Sequence, residues 1–240
     1  MSTSRKTILI AGASSGIGAA TAILLSAQQN DIILLARRKH KLNEVFGTLS
    51  PGNHSIIEAD MTFSEDRESV IKNLPKLDGF VFSIGIHSLL PAQFIDEQQI
   101  KNNFLPGVES LMLFIAGMLR QKKFIHPSAM VFVSSVLAQY TRTGCALYSS
   151  TKAALEAYAK TLALELAPKR IRVNIVSPGF IQGEMHEKSL HTAGTESMNV
   201  IEQMHPLGLG LPEDVANGIS FLLSDNARWI TGSILKMGII

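Results

Sequence analysis

Short apolar runs alternate with longer stretches of helical spacing along this chain. "KTILIAG" (6–12), "DIILLAR" (31–37), "HSIIEAD" (54–60), "LDGFVFSIG" (77–85), "SAMVFVSS" (128–135) and "IRVNIVSPG" (171–179) read as strands, and "GSILKMG" (232–238) as a last one. Most are apolar at consecutive positions, not at every second one, which is the pattern of strands buried on both faces. Between them, "SSGIGAATAILLSAQQ" (14–29) has helical spacing, a long helix is expected from about Glu97 to Leu119, and "LYSSTKAALEAY" (147–158) lies on another. A further helix begins near Pro212, Glu213 and Asp214, where proline and acids suit a first turn. This alternation predicts a single α/β domain over residues 1–240. It is a doubly wound fold of Rossmann type, a roughly seven-stranded parallel sheet with helices on both faces. The segment 183–207, with Met185, Met198 and Met204 among polar residues, breaks the alternation. It reads either as a substrate lid, since methionines adapt to ligands, or as two surface helices that simply pack.

Composition narrows the class. Of 240 residues, 46% are hydrophobic and 18% charged, so the chain is globular and not disordered. The net charge of +2 is spread along the chain, apart from Arg37, Arg38, Lys39 and Lys41. Nucleic acid would want a basic stripe; this cluster suits a small anionic ligand better. A single cysteine, Cys145, excludes an internal disulfide and fits a reducing compartment. No apolar run approaches a membrane span, and the first apolar run leads straight into a glycine loop, so it reads as strand and not as a signal. The expected setting is the cytoplasm, with a small-molecule substrate and no nucleic acid, membrane or metal partner.

"AGASSGIG" (11–18) sits between the first strand and the first helix. Gly12 allows a tight turn, Gly16 lets a phosphate approach the backbone, and Gly18 lets helix and sheet pack closely. With Ser14, Ser15 and Ile17 it offers a pyrophosphate the free N–H groups of a helix start. The end of the second strand reads Ala36-Arg37-Arg38, with no acid to bond the ribose 2′-hydroxyl of NAD. Two arginines there favour the 2′-phosphate of NADP(H) over NAD(H), the alternative being two solvated side chains. Asp60, followed by Met61 at the end of the third strand, either accepts from the adenine amino group or caps a helix.

Tyr148 and Lys152 lie four residues apart, on one face of a helix. A tyrosine titrates near pH 10, so it needs help to move protons at neutrality. A cationic Lys152 nearby is expected to lower the phenol's pKa. "VFVSS" ends at Ser135, thirteen residues earlier, at a carboxyl strand end where ligands bind in such sheets.

With "GASSGIG", "ADMT", "NNF", "VSS", "YSSTK", "IRVNIVSPG" and "PLGLGLPEDVA...FLLSD...WITG" in order, nearly the whole chain resembles the short-chain dehydrogenase/reductase family. The last stretch is similar to its bacterial 3-oxoacyl-acyl-carrier-protein reductase branch. The resemblance implies carbonyl–alcohol interconversion with NAD(P)H, in which Ser135 positions the substrate oxygen, Tyr148 is the acid or base, and Lys152 also bonds the nicotinamide ribose. It implies that Asn103, rather than its neighbour Asn102, holds a water linking the lysine to solvent. It implies cofactor contacts at Gly85 and in the Pro178, Gly179 and Ile181 segment, where the main chain of Ile181 grips the nicotinamide amide. It also implies a homo-oligomer, built through helices near 97–119 and 149–167. Leu111, Leu113, Ala154 and Leu162 are equally explained by burial against the sheet.

Three positions depart from the family pattern. Ser83 stands where an asparagine braces the central strands, Gly183 where a threonine bonds the nicotinamide, and "LKMGII" where many relatives end in Asp-Gly-Gly. Two classes of function therefore stand: an NADP(H)-dependent oxidoreductase, or a nucleotide-binding regulatory protein of the same fold. Ile86, His87, Leu137 and Gly144 are expected at the mouth of the substrate site, His87 either orienting a substrate or serving as a plain loop residue.

Overall fold

The computed structural model describes residues 5–86, 88–183 and 205–238. Among them seven strands form one sheet: β1 (Thr7–Ala11), β2 (Asp31–Ala36), β3 (Ser55–Glu58), β4 (Leu77–Phe82), β5 (Phe124–Val133), β6 (Ile171–Pro178) and β7 (Ile234–Met237). Their order is β3-β2-β1-β4-β5-β6-β7, and every neighbouring pair is parallel. The chain winds outward from β1 to β3, then restarts at β4 on the other side of β1. At that reversal the two crossovers leave in opposite directions and open a crevice beyond the carboxyl ends of the strands.

The described helices are α1 (Gly16–Ala27), α2 (Lys39–Phe46), α3 (Ser64–Asn73), α4 (Glu97–Phe104), α5 (Ser110–Arg120), α6 (Ala146–Leu166) and α7 (Pro212–Leu223). They explain why the strands are apolar at consecutive positions. Ile8 and Ile10 of β1 join Leu25 of α1 and Ile219 of α7 in one core. Leu9 and Ala11, alternating with them, face a second core with Phe114 of α5 and Leu155 of α6. Each fully buried leucine or isoleucine contributes about 1.5–3 kcal/mol relative to exposure, so a strand alternating with polar residues would forfeit one of the two cores.

The single long helix expected over 97–119 is interrupted. α4 ends at Phe104, a π-helical turn runs Leu105–Glu109, and α5 starts at Ser110. Pro106 is the cause: its ring crowds the preceding turn and it has no N–H to donate, so the helix widens to pass it. Strand ends also differ from the reading. β4 stops at Phe82 and β5 at Val133, so Ser83–Gly85 and Ser134–Ser135 become loops on the carboxyl edge of the sheet. Leu111 and Leu162 are buried in the second core, whereas Leu113 is exposed. No described helix is long and apolar enough to cross a membrane. His87, Met185, Met198 and Met204 lie outside the described residues, as do the readings that rest on them.

Candidate active site

The crevice is a cavity of about 920 Å³. At one end lies the glycine loop, with Gly12, Ser14, Ser15, Gly16 and Ile17 in its wall. Gly12 has φ +89°, and a Cβ there would sit 2.7 Å from the Ser83 carbonyl oxygen, so the turn accepts no other residue without strain. Gly18 does not line the cavity. A Cβ on it would meet the Gly12 carbonyl oxygen at 2.2 Å, so its part is to let α1 start against the loop.

Arg37, Arg38, Asp60 and Met61 wall the same end. Arg38 Nη2 donates to Ser15 Oγ at 2.9 Å and Ser14 Oγ at 3.3 Å, which ties the end of β2 to the glycine loop. Asp60 does not cap α3, whose N-cap is Phe63. Its Oδ1 accepts from the Thr62 N–H at 3.0 Å and hydroxyl at 2.7 Å, and its Oδ2 lies 3.5 Å from Arg37 Nη1. Burial opposes its ionisation, but the Thr62 hydrogen bonds and the Arg37 charge outweigh it and hold the carboxyl below its ordinary value.

Ser135, Tyr148 and Lys152 meet at the far end, where all three are buried. The first turn of α6 presents Tyr148, the next presents Lys152, and Ser135 stands just past β5. Ser135 hydrogen-bonds the phenol through its side chain, and its Oγ accepts from the Leu137 N–H at 3.3 Å. Lys152 Nζ donates to the Val133 carbonyl at 2.8 Å and stands 5.8 Å from the centre of the Tyr148 ring. A Cβ on Gly85 would press on that Nζ at 3.1 Å, so the loop after β4 fits closely over the lysine.

The expected lowering of the phenol's pKa is not what the protein alone produces. Burial raises the Tyr148 pKa and outweighs the hydrogen bond from Ser135. Burial also lowers Lys152 to about 8, opposed by the charge of Glu156. The trio is therefore a protonated phenol backed by an ammonium, an arrangement suited to giving a proton away.

Asn103 is buried and Asn102 exposed, which separates the two neighbours. Asn103 Nδ2 donates to the Gln99 carbonyl at 2.9 Å and its Oδ1 accepts from Ser88 Oγ at 2.8 Å. It lies in α4, one residue before the helix ends at Phe104, and does not itself line the cavity. Pro178, Gly179 and Ile181 do line it. Phe180 C=O accepts from Gly210 N–H at 3.0 Å, and Gln182 N–H donates to Gly210 C=O at 2.9 Å. In such a bridge the N–H and C=O of the intervening Ile181 point the other way.

Ile86 and Leu137 line the cavity as expected, but Gly144 does not: its carbonyl accepts from Leu90 N–H at 2.7 Å, and it packs on Leu89. Ser83 joins the central strands through its backbone N–H, which donates to the Ala11 carbonyl at 2.8 Å. Sequence reasoning missed Arg142, Phe180, His205 and Glu156. His205 Nε2 accepts from the Phe180 N–H at 3.1 Å, so its proton sits on Nδ1. Glu156 is buried, accepting from Ser134 Oγ at 2.8 Å and Gln139 Nε2 at 3.1 Å. Only its place one turn beyond Lys152 hinted at this.

A family model described as enoyl-(acyl carrier protein) reductase matches residues 12–238. A 3-oxoacyl-[acyl-carrier-protein] reductase FabG of Rickettsia felis is 34% identical over 97% of this chain and 95% of its own length. A protein of the same name from Thermotoga maritima is 32% identical over 96% of this chain and 95% of its own. Among solved structures, a dehydrogenase/reductase from Sinorhizobium meliloti superposes with a TM-score of 0.89 at 26% identity, over 98% of this chain and 94% of that one. With the parallel sheet, the glycine loop and these likenesses together, the chain belongs to the short-chain dehydrogenase/reductase family of oxidoreductases.

Proposed function

We propose that the chain reduces a ketone to a secondary alcohol with NADPH, by acid catalysis from Tyr148 supported by Lys152. The observation that carries this reading is one continuous cavity, with a dinucleotide cradle at one end and a hydrogen-bonded Ser135–Tyr148 pair at the other. The residues present fit the cofactor. A Cβ on Gly16 would enter open space at the helix start, and Arg37 and Arg38, in the cavity wall just past β2, support a 2′-phosphate there. The outward main chain of Ile181 suits the nicotinamide amide.

When bound, the reduced nicotinamide supplies a hydride to the carbonyl carbon. Ser135 holds the carbonyl oxygen by donating its hydroxyl proton in a hydrogen bond. Tyr148 gives its phenolic proton to that oxygen as negative charge builds there. An alkoxide is a far stronger base than a phenolate, so even a phenol raised by burial is acid enough. Lys152 stabilises the phenolate left behind, and a water held near Asn103 returns the proton from solvent.

Two O–H groups converging on one oxygen favour carbonyl over carbon–carbon double-bond reduction, and so favour the 3-oxoacyl name over the enoyl one. A 3-oxoacyl thioester or another small ketone is the proposed substrate, the cytoplasm the proposed setting, and a homo-oligomer the proposed form. Tyr148→Phe should abolish NADPH oxidation across a ketone panel while cofactor binding, read by titration, stays within a few-fold; an active variant would overturn the mechanism. In the same assay Arg37→Ala should raise KM for NADPH much more than for NADH, and equal effects would remove the NADP preference. NADPH binding by the unaltered chain without turnover of any ketone would favour a regulatory nucleotide-binding protein, the reading suggested by Gly183 and Ser83.

A further inference from the structure

Arg142 lies on the loop that enters α6, six residues before Tyr148, and lines the cavity at its catalytic end. Its Nε is buried and has no hydrogen-bond partner. The guanidinium stands 5.4 Å from the centre of the Phe180 ring. Among the described residues no carboxylate pairs with it. The one acidic residue in the described wall of the cavity, Asp60, lies at the opposite end beside Arg37.

A buried donor on a charged group without an acceptor costs free energy, and native proteins keep few of them. This one is held in place. The Arg142 carbonyl accepts from the Cys145 N–H at 3.1 Å, and Thr141 Oγ1 and Ser149 Oγ lie 2.8 Å apart, so the loop is pinned to the first turn of α6. Phe180 supplies an aromatic surface for the guanidinium without neutralising it, which leaves a planar fork of donors for a ligand.

We propose that Arg142 recognises an oxyanionic group, carboxylate or phosphate, on the carbonyl substrate. Held there, that group places the carbonyl of a short substrate beside Ser135 and Tyr148. The substrate class is thus a ketone carrying its own negative charge. This rests on the ketone-reductase reading above.

The test uses matched pairs with the full chain and NADPH: 3-oxobutanoate against methyl 3-oxobutanoate, and hydroxyacetone phosphate against hydroxyacetone. The unaltered chain should prefer the anion in at least one pair, and the preferred pair tells carboxylate from phosphate. Arg142→Met should lower kcat/KM for that anion on the order of 100-fold and collapse the preference toward one. Arg142→Lys should restore part of it, since an ammonium keeps the charge and loses the fork. Neither pair showing a preference, or equal losses on both members, would overturn the proposal.

Calorimetric titration of butanoate, butanamide and inorganic phosphate into the NADP⁺-loaded chain separates the two readings. Anion binding that weakens in Arg142→Met, with no ketone turned over by the unaltered chain, supports the anion site and sinks the reductase. Turnover of the neutral ketones, with no effect of Arg142→Met on either anion, keeps the reductase and sinks the site.

Discussion

Lys152 is buried where β5 ends against α6, and its pKa is set by two opposed neighbours. Burial pulls it down to about 8, and the carboxylate of Glu156, one turn further on, pushes it up. In the proposed mechanism Lys152 supports the phenol as an ammonium below that pH, and above it the support is lost. Ketone reduction at saturating NADPH should therefore decline as pH rises through about 8. Glu156→Gln keeps an acceptor for Ser134 but removes the charge, so the decline should move to lower pH. A pH–rate profile of both proteins checks this, and an unmoved break would show that Glu156 serves the packing alone. The same depression affects stability. The ordinary lysine value is 10.5, so between about pH 8 and that value the unfolded chain binds more protons, and this group makes stability rise with pH there.

At the scale of elements, α7 ends on an arginine from a neighbouring strand. Arg172 of β6 donates from Nη1 to the Leu222 carbonyl at 2.7 Å and from Nη2 to the Ser224 carbonyl at 3.0 Å. A cation there satisfies carbonyls the helix leaves without partners and meets the negative end of its dipole. Arg172→Ala should cost about 2 kcal/mol, by loss of a charged group from part-buried acceptors. For a chain of this size that is a fall in Tm of roughly 4–8 °C by thermal denaturation. Arg172→Lys should recover only part, because one ammonium does not span both carbonyls. No local pattern in "IRVNIVSPG" reveals this contact, whose partners lie fifty residues later. The interruption after α4 was written more plainly, in Pro106, yet proline also sits at helix starts, and only the neighbouring backbone decides which role it takes.

For the molecule as a whole, the outer faces of α4, α5 and α6 keep apolar residues that the cores do not use. Ile100, Met112 and Leu113 are exposed, and Leu164 is 80% exposed. The second core takes Leu111 and Leu162 instead. The apolar residues of those helices are thus divided between the sheet and an exposed face, which is where the proposed assembly would form. Light scattering should give a mass of two or more times the 26.1 kDa of one chain. Leu113→Glu together with Leu164→Glu should shift it to one chain while NADPH binding persists. A monomer in the unaltered protein would remove the proposed assembly.

The sequence alone determined the alternation of strands and helices and the glycine loop, because these are local: periodicity and turn chemistry act within a dozen residues. It also put Tyr148 and Lys152 on one helix face and Ser135 at the carboxyl edge of the sheet, two residues past the end of β5. Tertiary structure alone decided the charge state of that site and what surrounds it. The phenol is raised and not lowered, because burial is a property of the packed chain and no spacing encodes it. Glu156 and Arg142 are close in sequence to Lys152 and Tyr148, but their surroundings are set by other segments, Ser134 beside Glu156 and Phe180 beside Arg142, and His205 reaches Phe180 from twenty-five residues away.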